Sequence, residues 1–198
     1  MAYKLYFRYG VMGSSKTAQA LMTRFNYEQQ GYKVLLMKPK IDNRDDNNNK
    51  TVIKSRIGLE ANAYAFSLDE NIIESYNKIS KNQKYDVIIC DESQFCTTKQ
   101  IEEFKTLTEK LPVFCYGLKT DFKSHLFEGS KRLLEIADSL TEIKSICECG
   151  RKAIINARFL NNQIVTSGSV VDIGGDEKYK PICYSCYKKY INIRDNKI

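Results

Sequence analysis

The sequence predicts an α/β fold in which a mostly parallel sheet has flanking helices and a small C-terminal module follows. Over about the first 140 residues, short apolar runs alternate with segments whose apolar residues recur at helical spacing. The run VIIC at 87–90 is continuously apolar, as in strands that a parallel sheet buries on both faces. From about Ser145 the pattern changes to close cysteines, glycines and short β-like segments. We therefore expect two domains, residues 1–144 and 145–198.

The first domain is expected to alternate strands and helices along the chain. The first strand alternates apolar and polar residues and ends at Gly10, and Gly31 is the expected stop of the first helix. Asp69 is the expected N-cap of the second helix, and Pro112 introduces the last strand. The expected elements are the strand 4–9, the helix 17–30, the strand 33–38, the helix 71–81, the strand 85–90, the helix 99–111, the strand 113–118 and the helix 129–140.

The segment GVMGSSKT, which we call the phosphate loop (residues 10–17), differs at one position from the motif G-x-x-x-x-G-K-[ST]. Ser15 stands where the second glycine is usual, which requires a strained backbone that costs about 1–3 kcal/mol. The segment follows a strand and opens a helix, where backbone N–H groups can bind an anion. Lys16 would neutralise the terminal phosphates of ATP, and Thr17 would reach Mg²⁺. The expected ATP-binding residues of the loop are Gly10, Val11, Met12, Gly13, Ser14, Ser15, Lys16 and Thr17.

Two acidic residues follow the strand 85–90. Asp91 is placed to hold Mg²⁺, because a strand that ends in aspartate is the usual partner of a phosphate loop. Glu92 lies at the same edge of the sheet and could take the proton of an acceptor hydroxyl as general base. The same glutamate would also suit an ATPase, in which it would orient water. These residues predict an ATP–Mg²⁺ site of the P-loop NTPase type and leave kinase and ATPase both open.

Four of the seven cysteines form two close pairs. In a chain without an export signal, such pairs favour a metal over a disulfide. Four thiolates would form a closed tetrahedral structural zinc site, although the first pair is one residue closer than the most frequent spacing. Reduced thiols without metal are the alternative. The expected zinc ligands are Cys147, Cys149, Cys183 and Cys186.

Charge and hydropathy exclude some classes of protein. The formal net charge of +7 is modest and its lysines are widely spread, so a solvated basic surface is favoured over polyanion binding. No apolar run approaches the roughly 20 residues that cross a bilayer, and the first residues lack the features of a signal peptide. We therefore expect a cytoplasmic protein without a membrane partner.

Several segments resemble the zinc-containing thymidine kinases of the cytosolic type, in the order found in that family. They are the phosphate loop with Met12, KIDNR (40–44), SRIG (55–58), DESQF (91–95), GLKTDF (117–122) and VVDIGGDEKY (170–179). The resemblance covers nearly the whole chain. It implies ATP-dependent phosphorylation of the 5′-hydroxyl of thymidine, and of deoxyuridine, by a homotetramer whose zinc-bearing lasso closes over the nucleoside.

The resemblance also implies roles for matching residues of the catalytic centre. Thr17, Asp91 and Asp42 correspond to the Mg²⁺ side of the site, and Arg44 supports the phosphates. Glu92 corresponds to the base that acts on the 5′-hydroxyl. These assignments agree with the chemistry that the residues near the phosphate loop suggest by themselves.

A further set of residues resembles the nucleoside pocket of the family. An aromatic and aliphatic wall would accept the flat base, and a lasso would bind it through main-chain groups. For Phe95, Phe122 and Phe127 an ordinary place in the core is the alternative, and Asn156 is a further candidate for a contact with the base. The implied pocket residues are Met12, Phe95, Leu118, Phe122, Phe127, Val170, Val171, Asp172, Ile173, Gly174 and Tyr179.

A function of another class is a P-loop ATPase with a nucleic-acid-binding zinc ribbon. The tail YKKYINIRDNK (187–197) is the densest basic cluster of the chain. It contains few aromatic residues and lysines, and the chain has no RNA-binding signature. A small-molecule nucleoside is therefore the expected partner, and stable nucleic-acid binding is not expected.

Overall fold

The computed structural model describes residues 2–40, 51–168 and 178–195. Eleven strands and five α-helices lie in these ranges. In chain order the elements are β1 (Leu5–Gly10), α1 (Lys16–Gln29), β2 (Val34–Pro39), β3 (Val52–Lys54), β4 (Glu60–Asn62), β5 (Tyr64–Phe66), α2 (Ile72–Ser80), β6 (Val87–Cys90), a 3-10 turn (Ser93–Phe95), α3 (Thr98–Leu107), β7 (Val113–Leu118), α4 (Glu128–Ile136), β8 (Ser139–Ile143), β9 (Ile155–Leu160), β10 (Gln163–Val165), β11 (Tyr179–Ile182) and α5 (Tyr184–Asp195).

Six strands form one sheet in the order β5-β2-β6-β7-β1-β8, and every neighbouring pair is parallel. This confirms the predicted parallel sheet with flanking helices. In register, Gly10 at the end of β1 lies opposite Leu118 at the end of β7, and Cys90 at the end of β6 lies opposite Cys115. The carboxyl ends of β6, β7 and β1 therefore meet at one edge, which is where open α/β sheets bind ligands.

Each face of this sheet carries its own apolar cluster, because successive strand residues point to opposite faces. On β6, Ile88 and Cys90 pack with α2, α3 and α4, whereas Val87 and Ile89 pack on the α1 side. All four β6 residues are buried, as the continuous apolar run predicts. Each such large aliphatic side chain contributes about 1.5–3 kcal/mol by its burial.

Three of the expected helix ends are wrong, and one of them is the end of the third helix, which lies at Leu107 and not at residue 111. The second helix is capped by Asn71, whose side chain accepts a hydrogen bond from the Glu74 backbone N–H at 2.9 Å, and not by Asp69. The last helix of the first domain ends at Ile136 and does not reach 140. The next residues turn because the Asp138 carboxylate accepts a hydrogen bond from the Leu5 backbone N–H at 2.7 Å. Residues 139–143 then pair with β1 as the edge strand β8.

The C-terminal part contains an antiparallel sheet in the order β10-β9-β11, followed by α5. Its apolar cluster includes Ile155, Ile164 and Ile182, together with Val11 from the phosphate loop. The sequence predicted only a basic cluster at α5, so this helix was missed. The division of the chain at residue 144 stays a prediction, since the two parts share a core contact through Val11. None of the helices described above is long and apolar enough to cross a membrane.

Candidate active site

The phosphate loop joins β1 to α1 through a tight turn that requires glycine at position 10. A Cβ atom on Gly10 would lie 2.4 Å from the Ser14 hydroxyl oxygen and 2.5 Å from the Ile143 carbonyl oxygen, so no larger residue fits there. Gly13 and Ser15 both adopt left-handed backbone conformations, with φ of 72° and 62°. Ser15 therefore takes the loop conformation that glycine adopts more readily, at a cost of about 1–2 kcal/mol.

The N-terminus of α1 is suited to an anion. The first turn of α1 holds no acidic residue. Within the described part of the chain, the N-cap residue, Ser15, makes no capping hydrogen bond with its side chain. The first backbone N–H groups of a helix have no intrahelical acceptors, and the helix dipole is positive at this end. Lys16 is buried, and its Nζ donates a hydrogen bond to the Val11 carbonyl at 2.8 Å. These residues fit the phosphate groups of a nucleotide.

Asn156, from β9, supports the same loop. Its side-chain Oδ1 accepts a hydrogen bond from the Met12 backbone N–H at 2.7 Å, and its Nδ2 donates one to the Thr120 carbonyl at 2.9 Å. Both ends of this buried amide are therefore used within the protein. Asn156 thus connects the C-terminal part to the phosphate loop, and its contact with the base stays a prediction.

Asp91 lies at the end of β6 and is only 3% exposed. Burial, together with the neighbouring Glu92 carboxylate, raises the pKa of Asp91 to about 7, although a hydrogen bond to Thr17 and the charge of Lys16 act in the opposite direction. The Asp91 carboxylate thus lies close to the Thr17 hydroxyl, as expected of a pair that holds Mg²⁺. A divalent cation between them would offset the cost of two adjacent carboxylates at a poorly solvated edge.

Glu92 is half-buried and adopts a left-handed backbone conformation, with φ of 52° and ψ of 33°. Its Oε2 accepts a hydrogen bond from Gln94 Nε2 at 2.6 Å. Non-glycine residues in this conformation are uncommon and concentrate at functional sites. The 3-10 turn Ser93–Phe95 follows directly.

The described wall residues fall into two groups. Phe95 and Phe127 form an edge-on pair with ring centroids 5.6 Å apart, and Leu118 is half-buried. Phe122 is fully buried, and the Arg158 guanidinium lies 5.4 Å from the centre of its ring. Tyr179 lies opposite Arg158 across the β9–β11 pair. The structure therefore brings Phe95 and Phe127 together and buries Phe122 beside Arg158. Their contacts with the base stay predictions.

Seven further candidates lie outside the described residues, and their roles stay predictions. They are Asp42, Arg44, Val170, Val171, Asp172, Ile173 and Gly174.

The four predicted cysteine ligands come together in the C-terminal part. Their Sγ atoms all lie within 4.8 Å of one another, and the Cys149 and Cys183 sulfurs are 3.6 Å apart. Ligands at a Zn–S distance of about 2.3 Å in a tetrahedron are about 3.8 Å apart, so the spacing fits this geometry. Gly150 closes the turn after the first pair, with φ of 82° and a hydrogen bond from its N–H to the Cys147 carbonyl at 2.8 Å. The cluster is therefore placed to hold a metal ion.

Protonation of the cluster is uneven without a cation. The Arg151 backbone N–H and the neighbouring thiols lower the pKa of Cys149 to about 6. Hydrogen bonds with Cys149 and the other thiols raise the pKa of Cys186 to about 12. A bound Zn²⁺ would hold all four sulfurs as thiolates.

Two residues near the catalytic edge were missed as site candidates. Gln94 contacts Glu92, and a guanidinium nitrogen of Arg56 lies 3.7 Å from the position that a Cβ on Gly13 would occupy. Both belong to segments of the resemblance, DESQF and SRIG, so the signal was present in the sequence. Their contacts could not be inferred from the sequence, because they depend on how the folded chain brings distant segments together.

The parallel sheet carries a loop and a helix N-terminus that are suited to phosphates. A buried aspartate lies beside the Thr17 hydroxyl at the same edge. These features are typical of the P-loop class of nucleotide-binding proteins.

Comparison with known proteins narrows this class. The family model "Thymidine kinase" matches residues 3–187. The chain is 42% identical over 190 residues to a thymidine kinase of Legionella pneumophila, covering 94% of this chain and 90% of the relative. It is 41% identical over 192 residues to a thymidine kinase of Zymomonas mobilis, covering 96% and 98%. The chain belongs to the thymidine kinase family and is an enzyme of that family.

Among solved structures, a Pif1 helicase from Candida albicans aligns with 73% of this chain and 36% of its own, at 10% identity and a TM-score of 0.40. This likeness is too remote to bear on function.

Proposed function

We propose that the protein transfers the γ-phosphate of ATP to the 5′-hydroxyl of thymidine, and of deoxyuridine, with Glu92 as general base. One observation carries this proposal: the phosphate loop, the Asp91–Thr17 pair and Glu92 share one edge of the sheet. Phosphoryl transfer needs little covalent help from the protein, and it depends mainly on positioning and on neutralised charge. The residues at this edge supply both.

The phosphate side of the site is built for ATP with Mg²⁺. Backbone N–H groups of the phosphate loop and Lys16 would bind the phosphate oxygens, and Thr17 with Asp91 would hold the Mg²⁺, with Asp42 and Arg44 as further supports. The bound cation neutralises charge on the transferring phosphate. The raised pKa of Asp91 is consistent with a carboxylate whose charge a cation normally offsets.

The acceptor side of the site begins at Glu92. Its carboxylate is half-buried and held by Gln94, so it can meet an acceptor hydroxyl in a fixed direction. General-base help of this kind contributes about 10²–10⁴-fold to a rate. The Phe95–Phe127 pair and Leu118 would contact the flat base, and the lasso residues 170–174 would close over it. Exclusion of water by such a closure favours transfer to the nucleoside over hydrolysis of ATP.

The C-terminal cysteines would hold one structural Zn²⁺. Four sulfur ligands leave no open position, so the ion would not act on the substrate. Homotetramer formation, which the family resemblance implies, and a cytoplasmic location belong to the same proposal.

A coupled assay of ADP release with Mg-ATP and each common nucleoside tests this function. Glu92→Gln is measured beside the wild type, and Glu109→Gln, an exposed glutamate after α3, serves as the control. We expect turnover only with thymidine and deoxyuridine, a loss of at least about 100-fold in Glu92→Gln, and no loss in the control. Normal turnover of Glu92→Gln would reject the assigned base. ADP release without regard to the nucleoside would indicate an ATPase.

A further inference from the structure

Gln94 has a buried side-chain amide whose two ends are both engaged. It is 1% exposed. Its Oε1 accepts a hydrogen bond from the Leu118 backbone N–H at 3.0 Å, and its Nε2 donates to Glu92 Oε2 at 2.6 Å. Because a backbone N–H can only donate, the amide oxygen must face Leu118. The NH₂ group is therefore directed at the Glu92 carboxylate.

The 3-10 turn that carries Gln94 packs closely against two glycines, Gly117 and Gly129. A Cβ on Gly117 of β7 would lie 2.7 Å from Gln94 Oε1 and 2.9 Å from the Ser93 hydroxyl oxygen. A Cβ on Gly129 of α4 would lie 2.5 Å from the Ser93 carbonyl oxygen and 2.7 Å from the Cys96 carbonyl oxygen. The 3-10 turn thus touches the backbone of β7 on one side and of α4 on the other. Such close contacts leave little room for the amide to move.

The Glu92 side chain, unlike that of Gln94, is not tightly enclosed by the protein. Its side chain is long, half-buried and attached to a left-handed backbone. A glutamate of this kind has several rotamers, and only a small part of them would direct its carboxylate at an acceptor hydroxyl. The hydrogen bond from Gln94 restricts this freedom, because it joins Oε2 to the rigid turn.

We propose that Gln94 is a positioning residue for Glu92, and that it anchors the carboxylate of the base to the end of β7. This inference rests on the proposed function, in which Glu92 takes the proton of the acceptor hydroxyl. Gln94 acts through Glu92 and does not touch the reacting atoms. A displacement of about 1 Å in a catalytic group can cost up to about 10² in rate, so the loss of Gln94 should lower kcat.

Gln94→Met tests the contact, with Ser93→Ala as the matched control. Methionine has a similar length but no amide. Ser93 lies in the same turn, and its hydroxyl donates to the Tyr116 carbonyl at 2.9 Å, so its removal loosens the same turn on the same strand without touching Glu92. We expect Gln94→Met to lower kcat at least about tenfold below Ser93→Ala, with KM for ATP and thymidine within about threefold of the wild type. Equal kcat values in the two variants would overturn the proposal.

Gln94→Glu distinguishes the contact with Leu118 from the contact with Glu92. It also replaces Gln94→Met as the test if Gln94→Met does not fold. A carboxylate at this position can still accept the Leu118 N–H, but it repels Glu92 instead of donating to it. A role limited to holding the turn on β7 would leave kcat nearly normal. A role in positioning Glu92 predicts a loss of kcat at least as large as in Gln94→Met.

A double-mutant cycle distinguishes failure of this inference from failure of the proposed function. In a Glu92→Ala background, Gln94→Met should change the residual kcat less than about twofold, because the group that it positions is gone. If Glu92→Ala keeps full turnover, the proposed base is wrong. If Glu92→Ala is impaired but Gln94→Met costs the same in both backgrounds, only the positioning role is wrong.

Discussion

Replacing Asn156 with leucine tests how far the C-terminal part supports the phosphate loop. The side chains are similar in size, but leucine removes the hydrogen bonds to the Met12 N–H and the Thr120 carbonyl, at 2.7 and 2.9 Å. A buried unpaired group costs about 1–3 kcal/mol, and less where water can reach it. The expected loss is therefore roughly 2–4 kcal/mol of unfolding free energy, which lowers Tm by roughly 5–15 °C in a chain of this size.

ATP affinity should fall in the same variant. The Met12 N–H is part of the phosphate loop, and Val11 packs into the apolar cluster of the C-terminal part, so the variant removes a hydrogen bond that joins the loop to that part. We expect the Kd for ATP, measured by calorimetry, to rise about tenfold, which corresponds to about 1.4 kcal/mol. The Kd for thymidine should change less than about threefold.

Ile164→Ala is the control for this experiment. Ile164 is buried in the same cluster, and its truncation should cost about 2–5 kcal/mol without removing a hydrogen bond to the loop. Its Kd for ATP should stay within about threefold of the wild type. If Asn156→Leu and Ile164→Ala show the same affinity for ATP, the attachment through Asn156 has no bearing on nucleotide binding.

Three further outcomes are expected. Ser15→Gly should raise Tm by about 1–3 °C, because glycine relieves the left-handed strain at position 15, and this gain exceeds the entropy that glycine adds to the unfolded chain. A lower Tm would contradict the strained loop. The Lys105 ammonium and the Leu5 N–H lower the pKa of Asp138, so its stabilisation is complete above about pH 4 and is lost as the pH falls further. The Tm difference between wild type and Asp138→Asn should therefore shrink between pH 6 and pH 3, and parallel curves would reject this contact. Metal analysis should find one zinc per chain, lost together with several degrees of Tm in Cys183→Ser, whereas zinc-free protein with unchanged melting would reject the site.

The larger elements of the fold could be predicted because their patterns are local. The strands β1, β2, β6 and β7 and the helices α1 to α4 have apolar residues at the spacing that their burial requires. The edge strand β8 was missed, and its first two residues were assigned to the helix 129–140, because its position depends on the contact of Asp138 with Leu5, 133 residues away. The helix α5 has no fully buried residue, so it lacks a strong apolar pattern.

The candidate site also contains residues that a local motif identifies and residues whose contacts only the fold determines. Lys16, Thr17, Asp91 and the four cysteines could be found because each belongs to a motif whose spacing is fixed by its ligand. Gln94 and Asn156 could not be assigned their contacts, since the first meets Leu118 through the sheet and the second meets Met12, 144 residues away. Both residues act by tertiary hydrogen bonds, which leave no local pattern.

The fate of the transferred phosphate is the most direct test of the proposed kinase activity. ATP labelled in its γ-phosphate is incubated with Mg²⁺ and thymidine, 3′-deoxythymidine or 5′-deoxythymidine, and ADP, free phosphate and nucleoside monophosphate are measured. We expect one monophosphate for each ADP with the first two nucleosides, and no product with 5′-deoxythymidine. ADP formed with free phosphate and without nucleoside monophosphate would contradict the proposed transfer.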